Sequence, residues 1–297
     1  MELFDTHCHL HELTEKLSPV YDKWHSDGVE RTAEDVITAA KEVGVNRLIC
    51  VGTTLADSQL AIKFASARKN VWASIGIHPH EAATALQKDH LDAFAALLTG
   101  TIPEPVQETD ANHPKNHLRV TPFTGEKDVN IVAIGECGLD YFYNYSPKEA
   151  QIEVLKFQLE LAFKHSLPMS FHVRAAFDDF WPIFEPYNGK IRGVLHSFTD
   201  SEVNLRKALN YGLYIGVNGI ATFAKSPERS VIYRTIPQQS LLLETDAPFL
   251  TPVPFRGKVC ESKYVRVTAE YLSDLRGESL EQLAAATTKN ALNLFNI

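Results

Sequence analysis

The sequence predicts an α/β protein folded as a (β/α)8 TIM barrel, with an additional carboxy-terminal helix and a long insertion before the fourth strand. Three observations carry that prediction. Short apolar or β-branched runs alternate eight times with longer amphipathic stretches, the pattern of β-α-β units around a parallel sheet. No Gly-x-Gly-x-x-Gly follows the first run, so an open dinucleotide-binding sheet fits less well. The 297 residues match one barrel of roughly 250 residues with additions, so a single domain over 1–297 is expected.

Taken in order, the first strand is expected at 2–6, followed by a polar stretch over 11–30. A helix at 32–43 opens on Thr32, and a second at 57–68 opens on Asp57, both N-capping residue types. Apolar strands at 45–51 and 71–75 flank the second of these, and a helix at 89–98 follows. The segment 100–128 carries Pro103, Pro105, Pro114 and Pro122 and reads as a loop insertion, uncommon at that length in a compact domain. Strand 4 is expected at 129–134. The clearest helix, 147–165, follows Ser146, with Pro147 as a favoured first residue and Ile152, Leu155, Leu159 and Phe163 repeating on one face. Strands at 169–172, 191–195, 213–217 and 241–244 then alternate with helices at 176–184, 200–211, 228–234 and 261–275, and a last helix covers 279–295.

Composition narrows the function classes. With 29 basic and 37 acidic residues the chain carries a net −8, which excludes a bulk-basic nucleic-acid coat protein. Cys8, Cys50, Cys137 and Cys260 are far apart and form no Cys-x-x-Cys pair, so a reduced, cytoplasmic setting is expected. The amino terminus has neither the basic start nor the apolar stretch of a secretory signal. The longest charge-free run, 208–224, contains three glycines and falls short of the about 20 apolar residues that a membrane span needs.

In such a barrel, reacting side chains sit where strands end and enter the following loops. The polar residues at those points are Asp5, His7 and His9, then His78 and His80, Glu136, His172, His196, and finally Glu244 and Asp246. Imidazole with carboxylate is the ligand set of divalent transition ions. His7 and His9 share one face because strand residues two apart point the same way, while Cys8 points away. Glu136 stands between Gly135 and Gly138 and has two oxygens with which to bridge two ions. His172 and His196, on adjacent strands, read as ligands of the second ion. Asp246 ends an apolar strand where an acid is costly to bury without a cation; it is expected to bind the first ion and accept a proton from the attacking water. Glu244 faces the same way and would orient a histidine from behind, or else pair with Arg174 or Lys148. His78 is placed to contact an anionic oxygen or protonate a leaving group. Two close ions lower the pKa of a shared water toward ~7 and clamp the oxygens of a phosphoryl displacement, with no organic cofactor. No Gly-x-Ser-x-Gly elbow offers a serine alternative.

These residues stand in Phe4-Asp5-Thr6-His7-Cys8-His9-Leu10, Gly76-Ile77-His78-Pro79-His80, Ile134-Gly135-Glu136-Cys137-Gly138-Leu139-Asp140-Tyr141, His172-Val173-Arg174, His196-Ser197-Phe198 and Glu244-Thr245-Asp246-Ala247-Pro248. Together these passages, spread over nearly the whole chain, resemble the TatD-type metal-dependent deoxyribonucleases of the amidohydrolase superfamily. The resemblance implies a barrel with two divalent metal ions (Zn, Mg or Mn), one held by His7, His9, Glu136 and Asp246 and the other by Glu136, His172 and His196. It further implies hydrolysis of DNA phosphodiesters, typically from the 3′ end. Four positions depart from the family pattern: His11 and Asp200 replace its usual Asp and Gly, and in Cys260-Glu261-Ser262, where the family has Asn-Glu-Pro, Cys260 and Ser262 differ.

An acidic chain can still bind DNA, because counterion release depends on the phosphates contacted and not on global charge. Asp5, Glu136, Glu244 and Asp246 concentrate negative charge at the expected mouth, which bound cations would offset. Lys148, Arg174, Lys225, Arg256, Lys258 and Lys263 fall in loops after strands or at the starts of the next helices and form an expected basic rim. Tyr141, Phe142, Tyr143 and Tyr145 are expected to stack bases of a single strand or a DNA end, with Phe142 the one expected to pack beneath the loop. A monomer is expected. Two alternatives keep the same centre: a metal-dependent esterase or deacylase on a misacylated tRNA or a small phosphoester, and a non-catalytic metal-dependent binding module.

Overall fold

The computed structural model of the protein describes residues 1–16, 18–87, 89–105, 118–122, 130–143, 145–223 and 227–297. In chain order its strands are β1 (Leu3–Cys8), β2 (Val45–Val51), β3 (Val71–Ile75), β4 (Thr101–Pro105), β5 (Leu118–Pro122), β6 (Ile131–Asp140), β7 (Met169–Arg174), β8 (Gly193–Leu195), β9 (Tyr214–Val217) and β10 (Leu241–Leu243). The helices are α1 (Pro19–Trp24), α2 (Ala33–Glu42), α3 (Leu55–Ser66), α4 (Ala82–Ala85), α5 (His90–Ala96), α6 (Lys148–His165), α7 (Phe177–Phe184), α8 (Glu202–Asn210), α9 (Pro227–Thr235), α10 (Val265–Arg276) and α11 (Leu280–Phe295).

Eight strands pair in the order β1-β2-β3-β6-β7-β8-β9-β10, every pair parallel, and form a nearly closed (β/α)8 barrel. Closure falls just past β10, where Asp246 N–H donates to His7 O at 2.8 Å and His9 N–H to Ala247 O at 2.8 Å. The strand on which two expected ligands sit is thus tied to the segment carrying a third.

The insertion differs from the expected loop, because β4 and β5 pair antiparallel, Thr101 opposite Pro122 and Pro105 opposite Leu118. A two-stranded ribbon has two edges, and proline's missing donor is tolerated there. Residues 106–117 and 123–129 of the insertion, including the expected start of strand 4 at Val129, lie outside the described residues, as does Lys225. The fourth barrel strand runs on to Asp140, beyond the expected 134. Helix α1, inside the stretch read as polar loop, was not expected; Ser18 caps it. Thr32 caps α2 in a capping box with Asp35, as expected, but α3 is capped by Thr54. Asp57 instead turns inward, where its carboxylate accepts from Thr53 N–H at 2.8 Å and meets His11 Nε2 at 2.7 Å.

Helix α6 also departs from its expected face. Leu155 and Leu159 are buried, but Phe163 is exposed, and the buried stripe includes Gln151 and Gln158. These amides satisfy strand ends that would otherwise leave backbone groups unpaired. Gln158 Oε1 accepts from Ile77 N–H at 2.8 Å and its Nε2 donates to Ile77 O at 3.1 Å. Gln151 does the same for Asp140, at 2.8 and 3.1 Å. Helix α6 thereby fixes the chain entering His78 and the end of β6. Ser146, just before α6, accepts from Ala83 N–H and donates to His80 O. All four cysteines are buried and free. Among the described residues, no helix is long and apolar enough to cross a membrane.

Candidate metal centre

Four imidazoles and two carboxylates from β1, β6, β7 and the ends of β8 and β10 meet at the mouth of the barrel. Glu136 lies at their middle: its oxygens are 2.8 Å from His172 Nδ1, 3.3 Å from His7 Nε2, 3.6 Å from His78 Nε2 and 3.9 Å from His196 Nε2. Asp246 Oδ1 is 3.4 Å from His9 Nε2 and 3.8 Å from both His7 Nε2 and His196 Nε2. Asp246 takes a left-handed backbone, φ 64°, a conformation Asp tolerates better than most residues. Gly138, at φ 149°, admits β7 closely, because a Cβ there would lie 1.9 Å from His172 O.

Each of the four imidazoles turns one nitrogen away from the centre. His9 Nδ1 donates to Val51 O at 2.8 Å, which leaves the Nε2 lone pair facing Asp246. His7 Nδ1 is 3.5 Å from Ser170 Oγ, and its Nε2 is buried with no hydrogen-bond partner. His196 Nδ1 lies 3.1 Å from Glu244 Oε1, and the same oxygen accepts from Ser197 N–H at 2.5 Å. Glu244 therefore sits behind His196, not with Arg174 or Lys148. His172 uses its other nitrogen: Nε2 meets Asp140 Oδ2 at 2.9 Å while Nδ1 faces Glu136. An orphaned buried nitrogen and three more ring nitrogens converging on two carboxylates fit a divalent cation, since such outer partners fix the tautomer of a liganding histidine.

His78 differs in kind. Its Nδ1 accepts from His80 N–H at 3.2 Å, so the neutral ring carries its proton on Nε2 and presents a donor. Burial pushes its pKa down to about 4, which keeps it neutral near neutrality. Burial alone would raise Glu136, but His78, His172 and His7 hold its carboxyl well below the usual range. Burial likewise opposes ionisation of Asp246, and His9 and His196 outweigh it and lower its pKa. Facing carboxylates overcome burial at His172, raised to about 9, and at His196, raised to about 10. The centre thus holds ionised carboxylates whose charge protons and cations compete to neutralise.

Ligand atoms group as His7, His9 and Asp246; as His7, Glu136 and His196; and as His78, Glu136 and His172, each set within 4.8 Å. The set expected for the second ion, Glu136, His172 and His196, is thus divided between two groups that share Glu136. Asp5 does not reach the mouth: it is buried beneath it, accepting from Thr245 N–H at 2.9 Å and Thr245 Oγ1 at 2.7 Å. Burial lifts its pKa to about 7.

Around the centre, the roles of two rim aromatics are reversed from expectation. Tyr141 donates to Asp179 at 2.9 Å and lies under Lys148 Nζ, 4.0 Å away, whereas Phe142 is 62% exposed. Arg174 lies over Phe142 and Tyr143, 4.2 and 4.7 Å from their ring centres, and Tyr145 is 70% exposed. Arg256 packs on Phe223 at 3.9 Å and donates to Thr251 O. Sequence reasoning placed His80 at a strand end without giving it a role, and it missed Asp140 as part of the site. Asp140 is two alternate residues beyond Glu136 on β6 and so shares its face, a signal the period of two contains.

A barrel of this order with a mouth of imidazoles and acids defines the class of metal-dependent hydrolases. The sequence profile of the TatD related DNase family matches residues 4–296. An uncharacterized metal-dependent hydrolase, YabD of Bacillus subtilis (strain 168), is 32% identical over 296 residues, covering 99% of each chain. The 3′-5′ ssDNA/RNA exonuclease TatD of Citrobacter rodentium (strain ICC168) is 33% identical over 270 residues, 89% of this chain and 92% of that one. The crystal structure of the TatD homolog YJJV from Escherichia coli K12 superposes with a TM-score of 0.78 at 25% identity, covering 99% of this chain and 98% of that one. The chain belongs to the TatD family and is a metal-dependent hydrolase.

Proposed function

We propose that the protein is a two-metal phosphodiesterase that shortens single-stranded DNA from its 3′ end. The observation that carries the reading is the sorting of ring nitrogens: His7, His9, His172 and His196 each turn one nitrogen toward an outer partner and the other toward Glu136 or Asp246. In this reading His7, His9, Glu136 and Asp246 hold one ion, Glu136, His172 and His196 hold the other, and the ions are Zn, Mg or Mn. When bound, such ions supply Lewis acidity toward the scissile phosphate and its attacking water.

The chain's own groups do the rest. Asp246, kept ionised and with 16% of its side chain exposed, accepts the proton that the water gives up as its oxygen bonds to phosphorus; the bond from phosphorus to the 3′ oxygen of the preceding sugar breaks, and that oxygen leaves with a proton taken from solvent. His78, neutral and with its Nε2–H directed inward, donates to a phosphoryl oxygen as charge develops there. Glu244 keeps His196 oriented. Arg174 and Lys148 supply positive charge at the rim for the backbone, and exposed Phe142, Tyr143 and Tyr145 supply ring faces for unpaired bases. Tyr141, tied to Asp179, supports Lys148, and Arg256 contacts the strand from its own loop. The exonuclease name of the Citrobacter relative supports the polarity and the single-stranded substrate.

The test is hydrolysis of 5′-labelled single-stranded DNA by protein stripped of metal and reloaded with Mg, Mn or Zn. The reading predicts a ladder of progressively shorter labelled products. Inert DNA under all three metals, with turnover of a carboxylic ester by the same samples, would overturn it.

A further inference from the structure

Asp140 is buried, with 1% of its side chain exposed, and its two oxygens do different work. Oδ1 accepts from Phe142 N–H at 2.9 Å and Tyr143 N–H at 3.0 Å, which fixes the turn that begins the aromatic rim. Oδ2 faces His172 Nε2 at 2.9 Å and His80 Nε2 at 3.1 Å. A carboxylate oxygen only accepts, so both histidines present an Nε2–H to it. The consequence lies at the opposite edge of His172. With the proton held on Nε2, the Nδ1 lone pair of the neutral ring faces Glu136 Oε1 at 2.8 Å.

Without Asp140, Glu136 would draw the proton of neutral His172 to Nδ1, because a carboxylate only accepts and so attracts an N–H. In that form Nδ1 has no lone pair to give a metal. We propose that Asp140 is a positioning residue that selects the Nε2–H tautomer of His172, makes Nδ1 its liganding atom, and joins that ligand to the rim at Phe142 and Tyr143. The three other imidazoles present Nε2 to the centre, so His172 is the exception among them. This inference rests on the two-metal reading above.

The substitution Asp140→Asn separates the two functions of the side chain. Its amide oxygen still accepts from Phe142 and Tyr143, while its NH2 replaces Oδ2 and sets a donor against His172 Nε2. The ring must then accept at Nε2 and carry its proton on Nδ1. Calorimetric titration of metal-stripped protein with Mn2+ should find two sites in the wild type. In Asp140→Asn the site that uses His172 should weaken by about 10–100-fold, while the site of His7, His9 and Asp246 keeps its affinity. Equal affinities at both sites in variant and wild type would overturn the inference and leave the two-metal reading standing. A wild type that binds no Mn2+ would overturn the reading itself.

A second measurement needs no variant. In wild-type protein loaded with diamagnetic Zn2+, 15N spectra of labelled histidines should show three ligands that coordinate through Nε2 and one, His172, that coordinates through Nδ1 and retains Nε2–H. Coordination of all four through Nε2 would contradict the inference.

Discussion

Replacing Glu136 with Gln keeps the shape and volume of the side chain and removes its charge. Glu136 approaches His172, His7 and His196 at 2.8, 3.3 and 3.9 Å, so it lies within reach of both proposed ligand sets. Loss of an outer partner alone weakens a metal by about 10–100-fold, and loss of a direct ligand costs at least that at each ion, about 1.4–2.8 kcal/mol apiece. The effect is readable without turnover. At a metal concentration 100 times the wild-type Kd, each site stabilises the fold by about 2.7 kcal/mol, and a site 100-fold weaker contributes only about 0.4. Thermal unfolding with and without Mn2+, followed by circular dichroism, should therefore show a large metal-induced rise in Tm for the wild type and a small one for Glu136→Gln. Cleavage of single-stranded DNA should fall by roughly 100-fold or more in parallel. An unchanged metal-induced shift together with wild-type cleavage would refute the assignment of Glu136.

Three further outcomes follow from other parts of the molecule. Tyr145→Ala and Phe142→Ala, which trim exposed rings, should raise KM for single-stranded DNA by roughly 5–150-fold, since stacking contributes about 1–3 kcal/mol per base; a small phosphodiester lacking bases should be turned over as by the wild type, and an equal loss on both substrates would count against base stacking. Gly138→Ala sets a Cβ 1.9 Å from His172 O, so β6 and β7 must separate, and it should lower both Tm and metal binding; a variant with wild-type unfolding and Mn2+ affinity would contradict that geometry. Asp27 forms paired 3.0 Å bonds with Arg31 and accepts from Val259 N–H, and these hold its pKa at about 2. A depressed carboxylate stabilises the fold above its unfolded pKa and loses that contribution as pH falls through the folded value, so Asp27→Asn should cost about 1 kcal/mol at pH 7 and progressively less below pH 4, as urea unfolding across pH would record.

The barrel was legible because its strands are short apolar runs whose alternation with helices needs no long-range information. The centre was legible for a related reason: His7 and His9 fall two apart at the end of the first strand, where the pleat sets them on one side, whereas Asp246 reaches the mouth past β10 on a left-handed backbone. What escaped depended on who meets whom across the fold. Asp5 and Asp246 read alike in sequence, yet Thr245 captures Asp5 beneath the mouth. Asp57 reads as a helix cap, but burial beside His11 gave it a stronger partner. In α6 the 3.6-residue period favours Phe163 over Gln158, whereas the structure buries Gln158 because Ile77 has a backbone donor and acceptor to satisfy there. Pro103, Pro105 and Pro122 concealed the β4–β5 ribbon, in which each strand pairs on one side only and a missing donor on the other side is tolerated.

The central claim, that two ions on this set of side chains carry out hydrolysis of a nucleic acid strand, is tested most directly by adding Mn2+ in counted equivalents to stripped protein and following 5′-labelled single-stranded DNA at each step. The account predicts no cleavage in chelator and little at one equivalent, with 3′-end shortening rising to its plateau as the second is bound. Full cleavage in chelator, or a plateau already reached with a single bound ion, would contradict it.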